Sequence, residues 1–314
     1  MKIYAEVPAQ AAEIAELKRV TGEDEFWIAD PATRTEADRH AFLHAEVVFG
    51  TFPADLLEAA TCLRWIQFLS VGIESHRSID WSKLERRVMC TNLRGVYADP
   101  MAQTALAGIL ALHRGIDKLV GFQARCDWQK AHLHPRVRVL HGAHVLLLGA
   151  GSVNRRLHEL LLPFGCTFAA FARSSGDIHT LAALDAVLPH ADLVCAALPD
   201  TPATRGLLDA ARIARMKADA IFVNVGRGSL VDEIALVAAL RAGKLHGAVL
   251  DVTQHEPLSP DDPLWDSPRT ILTQHTAAGS PRLVLDAIAF FGTNLERYRA
   301  GKHLLNLINW SIGY

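Results

Sequence analysis

The fold of this chain is decided by the stretch His144-Val145-Leu146-Leu147-Leu148-Gly149-Ala150-Gly151-Ser152-Val153-Asn154. A short apolar run opens it and predicts a buried strand, and a helical pattern continues from Arg155 to Leu162. The Gly-x-Gly turn between strand and helix is the context that a dinucleotide site requires. The first glycine makes the tight turn, the second lets the backbone approach a pyrophosphate, and the helix N-terminus supplies N–H donors. The stretch therefore predicts a nucleotide contact over residues 149–153.

The third position of this turn departs from the usual pattern. Asn154 stands where a third glycine would allow helix and strand to pack closely. We expect its side chain to lower the affinity for the dinucleotide. A lone Gly-x-Gly also fits an ordinary tight turn between a strand and a helix, so the motif needs support from its surroundings.

The end of the next apolar run, residues 167–172, bears on which dinucleotide binds. In an NAD site an acidic residue stands there and binds the ribose 2′-hydroxyl. This chain has Arg173-Ser174-Ser175 instead, and an arginine with two hydroxyls suits a 2′-phosphate. The sequence therefore favours NADP(H) as the cofactor. The alternative is NAD(H), with Arg173 as an ordinary solvated charge.

Three residues late in the chain carry the parts of a reductase site. Arg227, Glu256 and His275 each follow a short apolar run that predicts a buried parallel strand. Residues just past the carboxyl ends of such strands face the ligand crevice of an open α/β sheet. Arginine can bind a carboxylate through two parallel hydrogen bonds, histidine can protonate a carbonyl oxygen, and glutamate can orient the charged imidazole. The set predicts reduction of a carbonyl group next to a carboxylate.

A series of motifs between residues 184 and 280 matches those of one enzyme family. They are Leu198-Pro199-x-Thr201-Pro202-x-Thr204-Arg205-Gly206-Leu207, Asn224-Val225-Gly226-Arg227-Gly228-x-Leu230-Val231-Asp232-Glu233, Leu250-Asp251-Val252-x-x-x-Glu256-Pro257 and Ile271-Leu272-Thr273-x-His275. In these residues the chain resembles the D-isomer-specific 2-hydroxyacid dehydrogenases, in particular the glyoxylate/hydroxypyruvate reductase branch. The likeness extends to a substrate loop, Ser70-Val71-Gly72-Ile73, and to the closing Gly313-Tyr314.

The resemblance implies a reaction and a role for each catalytic residue. Arg227 would hold the substrate carboxylate and carbonyl, His275 would be the general acid/base, and Glu256 would pair with His275. The backbone N–H groups of Val71 and Gly72 would receive the substrate carboxylate. The implied reaction is NADPH-dependent reduction of a small 2-oxo acid, such as glyoxylate or hydroxypyruvate, to the D-2-hydroxy acid.

The resemblance also implies how the dinucleotide binds. Asp251 would sit beside the nicotinamide carboxamide, Val225 and Ala277 would line the nicotinamide pocket, and Pro199 would pack near the adenosine. The full set of expected cofactor contacts is Gly149, Ala150, Gly151, Ser152, Val153, Arg173, Ser174, Pro199, Val225, Gly226, Asp251 and Ala277.

Two further departures from the family pattern leave every catalytic group in place. Gln274 stands where a proline usually precedes the histidine, and Met101-Ala102-Gln103 stands where Val-Ala-Glu is common.

The order of apolar runs predicts an α/β fold with two doubly wound parallel sheets. Five short runs alternate with helical or polar stretches; they are residues 2–7, 26–29, 46–50, 65–69 and 88–91. A long helix is expected from about residue 100 to 126 with Asp99 as its N-cap, and the second sheet begins at Val145. By the family's topology, residues 1–97 and 285–314 form a flavodoxin-like substrate-binding domain. Residues 98–284 form a Rossmann dinucleotide-binding domain inserted into it.

Composition limits the partners and the location. A chain of 314 residues suits two domains, and a net charge of −2 without a basic stripe argues against nucleic acid or an acidic membrane surface. No apolar run approaches the ~18 residues that cross a bilayer. The cysteines lack Cys-x-x-Cys spacing and suit reduced thiols in a cytoplasm; they are Cys62, Cys90, Cys126, Cys166 and Cys195.

Some features have competing interpretations. The histidines at 132, 134, 141 and 144 match no metal-ligand spacing, so no metal is expected. The resemblance implies a homodimer through the nucleotide domain, and Trp128 either reaches a neighbouring subunit or lies half-buried at the surface. One alternative function is a dinucleotide-sensing scaffold, because the C-terminal-binding corepressors share the fold and keep the same Arg/Glu/His set. Another is a catalytically weak paralogue.

Overall fold

The protein folds into two compact units in a computed structural model that describes residues 1–310. One unit comprises residues 1–97 and the described residues from 280 onward, and the other comprises residues 98–279. The second unit ends a few residues before the boundary expected at 284, and the assignment of substrate and dinucleotide roles to the two domains stays a prediction. The closing Gly313-Tyr314 lies outside the described residues.

The first unit is built on a parallel sheet. Its strands are β1 (Lys2–Glu6), β2 (Glu25–Ala29), β3 (Val47–Gly50), β4 (Trp65–Gln67) and β5 (Met89–Thr91), and its first helices are α1 (Ala11–Thr21) and α2 (Glu36–Leu43). The strand order is β2-β1-β3-β4-β5, and every pairing is parallel. This is the order of a flavodoxin-like sheet, so the predicted strands form and the predicted fold class is confirmed for this unit.

The second unit holds a larger parallel sheet flanked by helices. In chain order its elements are α3 (Ala98–Arg114), α4 (Ile116–Ala124), α5 (Lys130–Leu133), β6 (His144–Leu148), α6 (Ser152–Leu161), β7 (Thr167–Phe171), α7 (Leu181–Val187), β8 (Leu193–Ala196), α8 (Ala210–Arg215), β9 (Ile221–Asn224), α9 (Glu233–Arg241), β10 (Gly247–Leu250) and β11 (Thr270–Leu272). The strand order is β11-β10-β9-β8-β6-β7, again all parallel. This is a doubly wound Rossmann sheet, as predicted.

Strand order explains where ligands can bind in the second unit. The sheet grows in one direction from β6 to β7 and in the other from β6 to β8, so the order reverses beside the Gly-rich turn that follows β6. Strands β9, β10 and β11 are neighbours, and their carboxyl ends meet at the same edge of the sheet. The residues that follow these three strands are therefore close in space.

A helix from the end of the chain completes the first unit. Helix α10 (Leu283–Arg299) buries Phe291 against the sheet, where its ring lies 4.6 Å from that of Phe49 and 5.3 Å from that of Trp65, centroid to centroid. Tyr4 contacts Phe42 of α2 at 5.6 Å. The strands are mostly apolar because helices cover the sheet.

The single long helix expected from about residue 100 to 126 is wrong. The structure has two helices, α3 and α4, separated by Gly115 in a left-handed conformation with φ +66°. A left-handed residue ends a right-handed helix, and glycine adopts that conformation without strain. Asp99 lies inside α3 instead of capping it, and its carboxylate accepts a hydrogen bond of 2.7 Å from Arg156 Nε.

Within residues 1–310, no helix has both the length and the hydropathy needed to span a bilayer.

Candidate active site

The turn after β6 has the shape that a bound pyrophosphate needs. Gly149 has φ +102°, and a Cβ there would lie 3.0 Å from the Ala197 carbonyl oxygen, so only glycine fits. A Cβ on Gly151 would meet nothing within 4 Å, which leaves the backbone open to a ligand. Helix α6 begins at Ser152, and the Gly151 N-cap offers no side chain to its first N–H groups. The N-terminus of α6 can therefore donate to an anion.

The loop after β7 presents cationic and hydroxyl groups. Arg173 and Ser174 are exposed, and a tight turn follows them in which Ala172 N–H donates to the Ile178 carbonyl at 3.0 Å. Asp177, the acidic residue of this turn, accepts a hydrogen bond from Ala170 N–H at 3.0 Å. Asp177 is thus hydrogen-bonded to the backbone of β7. Arg173 and Ser174, at the tip of the loop, suit a phosphate group.

Arg227 lies in a turn that packs between the loop after β8 and the segment after β10. Asn224, the last residue of β9, accepts from Gly226 N–H at 3.0 Å and donates from Nδ2 to the Arg227 carbonyl at 2.9 Å. A Cβ on Gly228 would lie 2.0 Å from the Thr253 carbonyl carbon. This contact brings the Arg227 turn against the segment that follows β10. Glycine at 228 is what makes that approach sterically allowed.

Glu256 and His275 are in direct contact. His275 Nδ1 lies 2.5 Å from Glu256 Oε2, and Thr253 N–H donates to the other carboxylate oxygen at 3.0 Å. The His275 side chain is 53% exposed and that of Glu256 36% exposed, so both can meet a ligand. Because a carboxylate only accepts, Nδ1 carries the proton in this contact and Nε2 is left for chemistry.

A buried aspartate holds the His275 loop in place. Asp251 Oδ1 accepts hydrogen bonds from Thr273 Oγ1 at 2.6 Å, Thr276 N–H at 3.0 Å and Ala277 N–H at 3.0 Å. The Asp251 carbonyl accepts from His275 N–H at 2.6 Å. We call this group of contacts the Asp251 clasp. It ties the loop after β11 to the end of β10.

The clasp supports an unfavourable backbone. Gln274 has φ +53° and His275 has φ +56°, both in the left-handed region that costs about 1–2 kcal/mol for a residue with a side chain. Such strain persists only where surrounding contacts determine the conformation. The clasp supplies those contacts and so fixes the direction of the His275 imidazole.

Sequence reasoning missed the structural part played by Asp251 and Thr273. Asp251 was expected only beside the nicotinamide carboxamide, and Thr273 appeared in a motif without a role. The available signal was an acidic residue directly after a buried strand whose last three residues are all apolar. Left-handed backbone at Gln274 has no signature in residue type, and His275 gives only a weak one, because histidine is enriched in that region but seldom adopts it.

In the loop Ser70-Val71-Gly72-Ile73 of the first unit, which is the expected substrate loop, backbone carbonyl groups accept hydrogen bonds from the protein. The Ser70 carbonyl accepts from Leu93 N–H at 3.0 Å, and the Val71 carbonyl accepts from Asn92 Nδ2 at 2.9 Å. In a planar trans peptide the N–H of the next residue points the opposite way. The N–H groups of Val71 and Gly72 are therefore turned away from Leu93 and Asn92. That orientation suits an anion.

The remaining predicted residues lie in the second unit, in or beside these loops. Val225 and Ala277 are buried next to Arg227 and the His275 loop. The Pro199 carbonyl accepts from Thr204 Oγ1 at 2.6 Å, which fixes the loop after β8. Across the described part of the chain, no group of three or more His, Cys, Asp or Glu residues is arranged to hold a metal ion.

Comparison with known proteins agrees with this fold. The model of the D-isomer specific 2-hydroxyacid dehydrogenase NAD binding domain matches residues 106–277. Glyoxylate/hydroxypyruvate reductase B of Klebsiella pneumoniae (strain 342) is 33% identical over 256 residues, which are 76% of this chain and 77% of that protein. Glyoxylate reductase of Aeropyrum pernix is 32% identical over 267 residues, 81% of this chain and 79% of that protein.

A solved structure extends the match to the whole chain. The D-isomer specific 2-hydroxyacid dehydrogenase from Xanthobacter autotrophicus Py2, in complex with NADPH and MES, superposes with a TM-score of 0.83. It is 27% identical and covers 99% of this chain and 100% of its own.

The fold and the site define an oxidoreductase with an NAD(P)-binding Rossmann unit. The chain belongs to the D-isomer specific 2-hydroxyacid dehydrogenase family, in its glyoxylate/hydroxypyruvate reductase-like branch.

The left-handed Gln274 generates a prediction about its replacement. Proline fixes φ near about −65°, so Gln274→Pro is expected to break the Asp251 clasp and to lower kcat/KM by about 100-fold. Gln274→Gly should keep kcat/KM within about twofold and gain up to about 1 kcal/mol of stability, because glycine removes the strain. Steady-state kinetics and thermal unfolding measure both.

Gln274→Ala is the matched control, since it removes the amide group and keeps the Cβ, and with it the strain of the left-handed backbone. It should resemble the wild type in kcat/KM. Wild-type activity in Gln274→Pro would show that the left-handed loop does not govern catalysis.

Proposed function

We propose that this protein reduces a small 2-oxo acid, of the glyoxylate or hydroxypyruvate kind, to the D-2-hydroxy acid with NADPH. The observation that carries the proposal is the 2.5 Å contact between His275 Nδ1 and Glu256 Oε2, which leaves Nε2 to exchange a proton with substrate. The relatives named glyoxylate/hydroxypyruvate reductase B and glyoxylate reductase support this substrate class.

The substrate is held at its carboxylate and its carbonyl oxygen. Arg227 binds the carboxylate and stabilises the negative charge that develops on the carbonyl oxygen. The Val71 and Gly72 N–H groups, whose peptide planes are fixed by Leu93 and Asn92, receive the carboxylate. The D-isomer is proposed as product because the chain belongs to the D-isomer specific family.

His275 supplies the proton of the reaction. The dinucleotide, when bound, supplies the hydride to the carbonyl carbon. His275, charged beforehand, gives the Nε2 proton to the carbonyl oxygen, so the products are the hydroxy acid, the oxidised dinucleotide and a neutral imidazole. Glu256 stabilises the charged ring and keeps Nδ1 protonated. In the reverse direction the neutral imidazole accepts the hydroxyl proton.

The residues at the end of β7 favour NADPH over NADH. Arg173 and Ser174 are exposed there, and the only acid of the 172–178 turn, Asp177, is hydrogen-bonded to the backbone of β7. A guanidinium and a hydroxyl bind the 2′-phosphate, whereas they give NADH no comparable contact. The Xanthobacter relative was solved with NADPH, which supports the same preference.

A homodimer through the second unit is part of the proposal. Large apolar side chains are exposed in one segment of this unit; they are Ile116, Leu119, Val120, Trp128 and Val139. Exposed apolar side chains of this kind suit an interface between two copies of the chain. Trp128 is 91% exposed, so the expectation of a half-buried ring is wrong for the single chain.

A reducing compartment is also proposed. The cysteines of the described residues carry free thiols, and Cys90, Cys166 and Cys195 are buried in the core. Free thiols in a core are stable where glutathione and thioredoxin keep them reduced, as in a cytoplasm.

The assay that tests the function follows consumption of NADPH and of NADH with glyoxylate, hydroxypyruvate, pyruvate and phenylpyruvate. We expect turnover with glyoxylate or hydroxypyruvate and a higher kcat/KM with NADPH. Turnover only with phenylpyruvate would indicate that the substrates are bulkier 2-oxo acids. No turnover with any of the four, together with tight dinucleotide binding, would favour the scaffold alternative.

The role of His275 predicts a large and specific loss. His275→Ala should lower kcat for reduction by about 10²–10⁴-fold, the usual contribution of a general acid. His255→Ala is the matched control, because His255 is an exposed histidine of the same region. The control should retain wild-type kcat. Equal kcat values in the two variants would show that His275 is not the general acid.

The cofactor preference predicts the effect of removing one charge. Arg173→Ala should lower the ratio of kcat/KM for NADPH to that for NADH by about tenfold or more, the value of a hydrogen bond to a charged group. Arg215→Ala removes an equal charge from the exposed face of α8 and should leave the ratio unchanged. An unchanged ratio in Arg173→Ala would make Arg173 an ordinary surface charge.

A further inference from the structure

Asn154 occupies the third glycine position of the turn and is completely buried. Its Nδ2 donates to the Gly149 carbonyl at 2.7 Å, the Leu148 carbonyl at 3.0 Å and the Cys195 carbonyl at 3.3 Å. Gly149 is the first residue of the turn, Leu148 is the last residue of β6, and Cys195 belongs to β8, next to β6 in the sheet. The side chain therefore fills the space between α6 and the sheet with hydrogen bonds.

The orientation of this carboxamide is fixed by its surroundings. Exchanging Nδ2 and Oδ1 would place an oxygen acceptor against three carbonyl oxygens, which is electrostatically unfavourable. Oδ1 is buried and has no hydrogen-bond donor among the described residues, so all the hydrogen bonds of this side chain run through Nδ2. Asn154 thus acts as a donor toward the turn.

These hydrogen bonds set the peptide planes of the turn. The Leu148–Gly149 peptide is held on both sides, because its carbonyl accepts from Asn154 and from Ala197 N–H, each at 3.0 Å, and its N–H donates to the Phe171 carbonyl at 2.8 Å. The Gly149–Ala150 peptide is held through its carbonyl, which turns the Ala150 N–H away from the buried carboxamide. The backbone is thereby ordered before any ligand arrives.

We propose that Asn154 is a positioning residue for the dinucleotide, and that its carboxamide fixes the turn by hydrogen bonding where a third glycine would do so by close packing. This inference rests on the proposed dinucleotide contact at residues 149–153. It reverses the sequence-based expectation that Asn154 lowers cofactor affinity. Restoring the three-glycine pattern weakens the site, because glycine removes the donors and leaves the space empty.

The test measures NADPH binding by fluorescence titration and amide hydrogen exchange of residues 149–153 without ligand. Asn154→Gly and Asn154→Ala should each raise the dissociation constant for NADPH about tenfold, corresponding to the loss of one or two buried hydrogen bonds. Amide exchange of the turn should become faster in both variants. The KM for NADPH should rise in parallel, while kcat at saturating NADPH stays within about twofold.

Asn294→Ala is the matched control. Asn294 is a completely buried asparagine of the first unit whose Nδ2 donates to the Leu305 carbonyl at 3.1 Å. Its loss should lower the unfolding temperature and leave the dissociation constant for NADPH unchanged. A merely structural role for Asn154 would give the same result as this control.

The outcomes separate this inference from the proposed function. NADPH binding by Asn154→Gly as tight as in the wild type, with unchanged exchange of the turn, would overturn the role of Asn154. If Asn154→Gly does not fold, Asn154→Ala decides by the same two readouts. Absence of NADPH and NADH binding in the wild type would instead overturn the cofactor site, and the exchange data would still report on Asn154.

Discussion

The site depends on one carboxylate. Asp251 Oδ1 accepts three hydrogen bonds from the loop after β11, and these hold two consecutive left-handed residues, Gln274 and His275. Without that clasp the loop would relax toward an unstrained backbone, and the imidazole would leave Glu256. A buried carboxylate that accepts three hydrogen bonds is electrostatically favourable. These bonds therefore offset the strain of the left-handed backbone in the same loop.

The same kind of hydrogen bonding recurs at the other loops of the proposed site. Asn154 fixes the turn after β6, Asn224 fixes the turn that carries Arg227, and Asn92 fixes the substrate loop of the first unit. In each case a short polar side chain, buried or nearly so, bonds to backbone groups of a loop at the end of a strand. Fixing a carbonyl also fixes the N–H on the other side of the peptide, so the loops are ordered for anionic ligands before binding.

Sequence predicted the framework of this protein well, for physical reasons. Parallel strands buried on both faces are short apolar runs, so the strands of both sheets could be located, and the residues just past them were the candidate site. The contact between His275 and Glu256 follows from β10 and β11 being neighbours. The local backbone conformation was harder to predict. The left-handed Gly115 separates two helices, although the apolar spacing predicts one continuous helix.

Polar residues in loops were the least predictable part. The effect of Asn154 was expected from its size, as an obstacle to packing, whereas the structure shows its donors bonded to three carbonyls. Whether such a side chain hinders or orders a turn depends on acceptors that are distant in sequence, such as Cys195. Thr273 is a similar case, since its partner Asp251 lies on another strand end.

The most direct measurement of the central claim is the single-turnover rate of Thr273→Val at saturating NADPH and glyoxylate. Valine keeps the shape of threonine and removes only the hydroxyl that donates to Asp251 at 2.6 Å. The account predicts a rate lower by about tenfold, the value of one hydrogen bond to a charged group, with unchanged affinity for NADPH. A wild-type rate would show that the Asp251 clasp does not position His275.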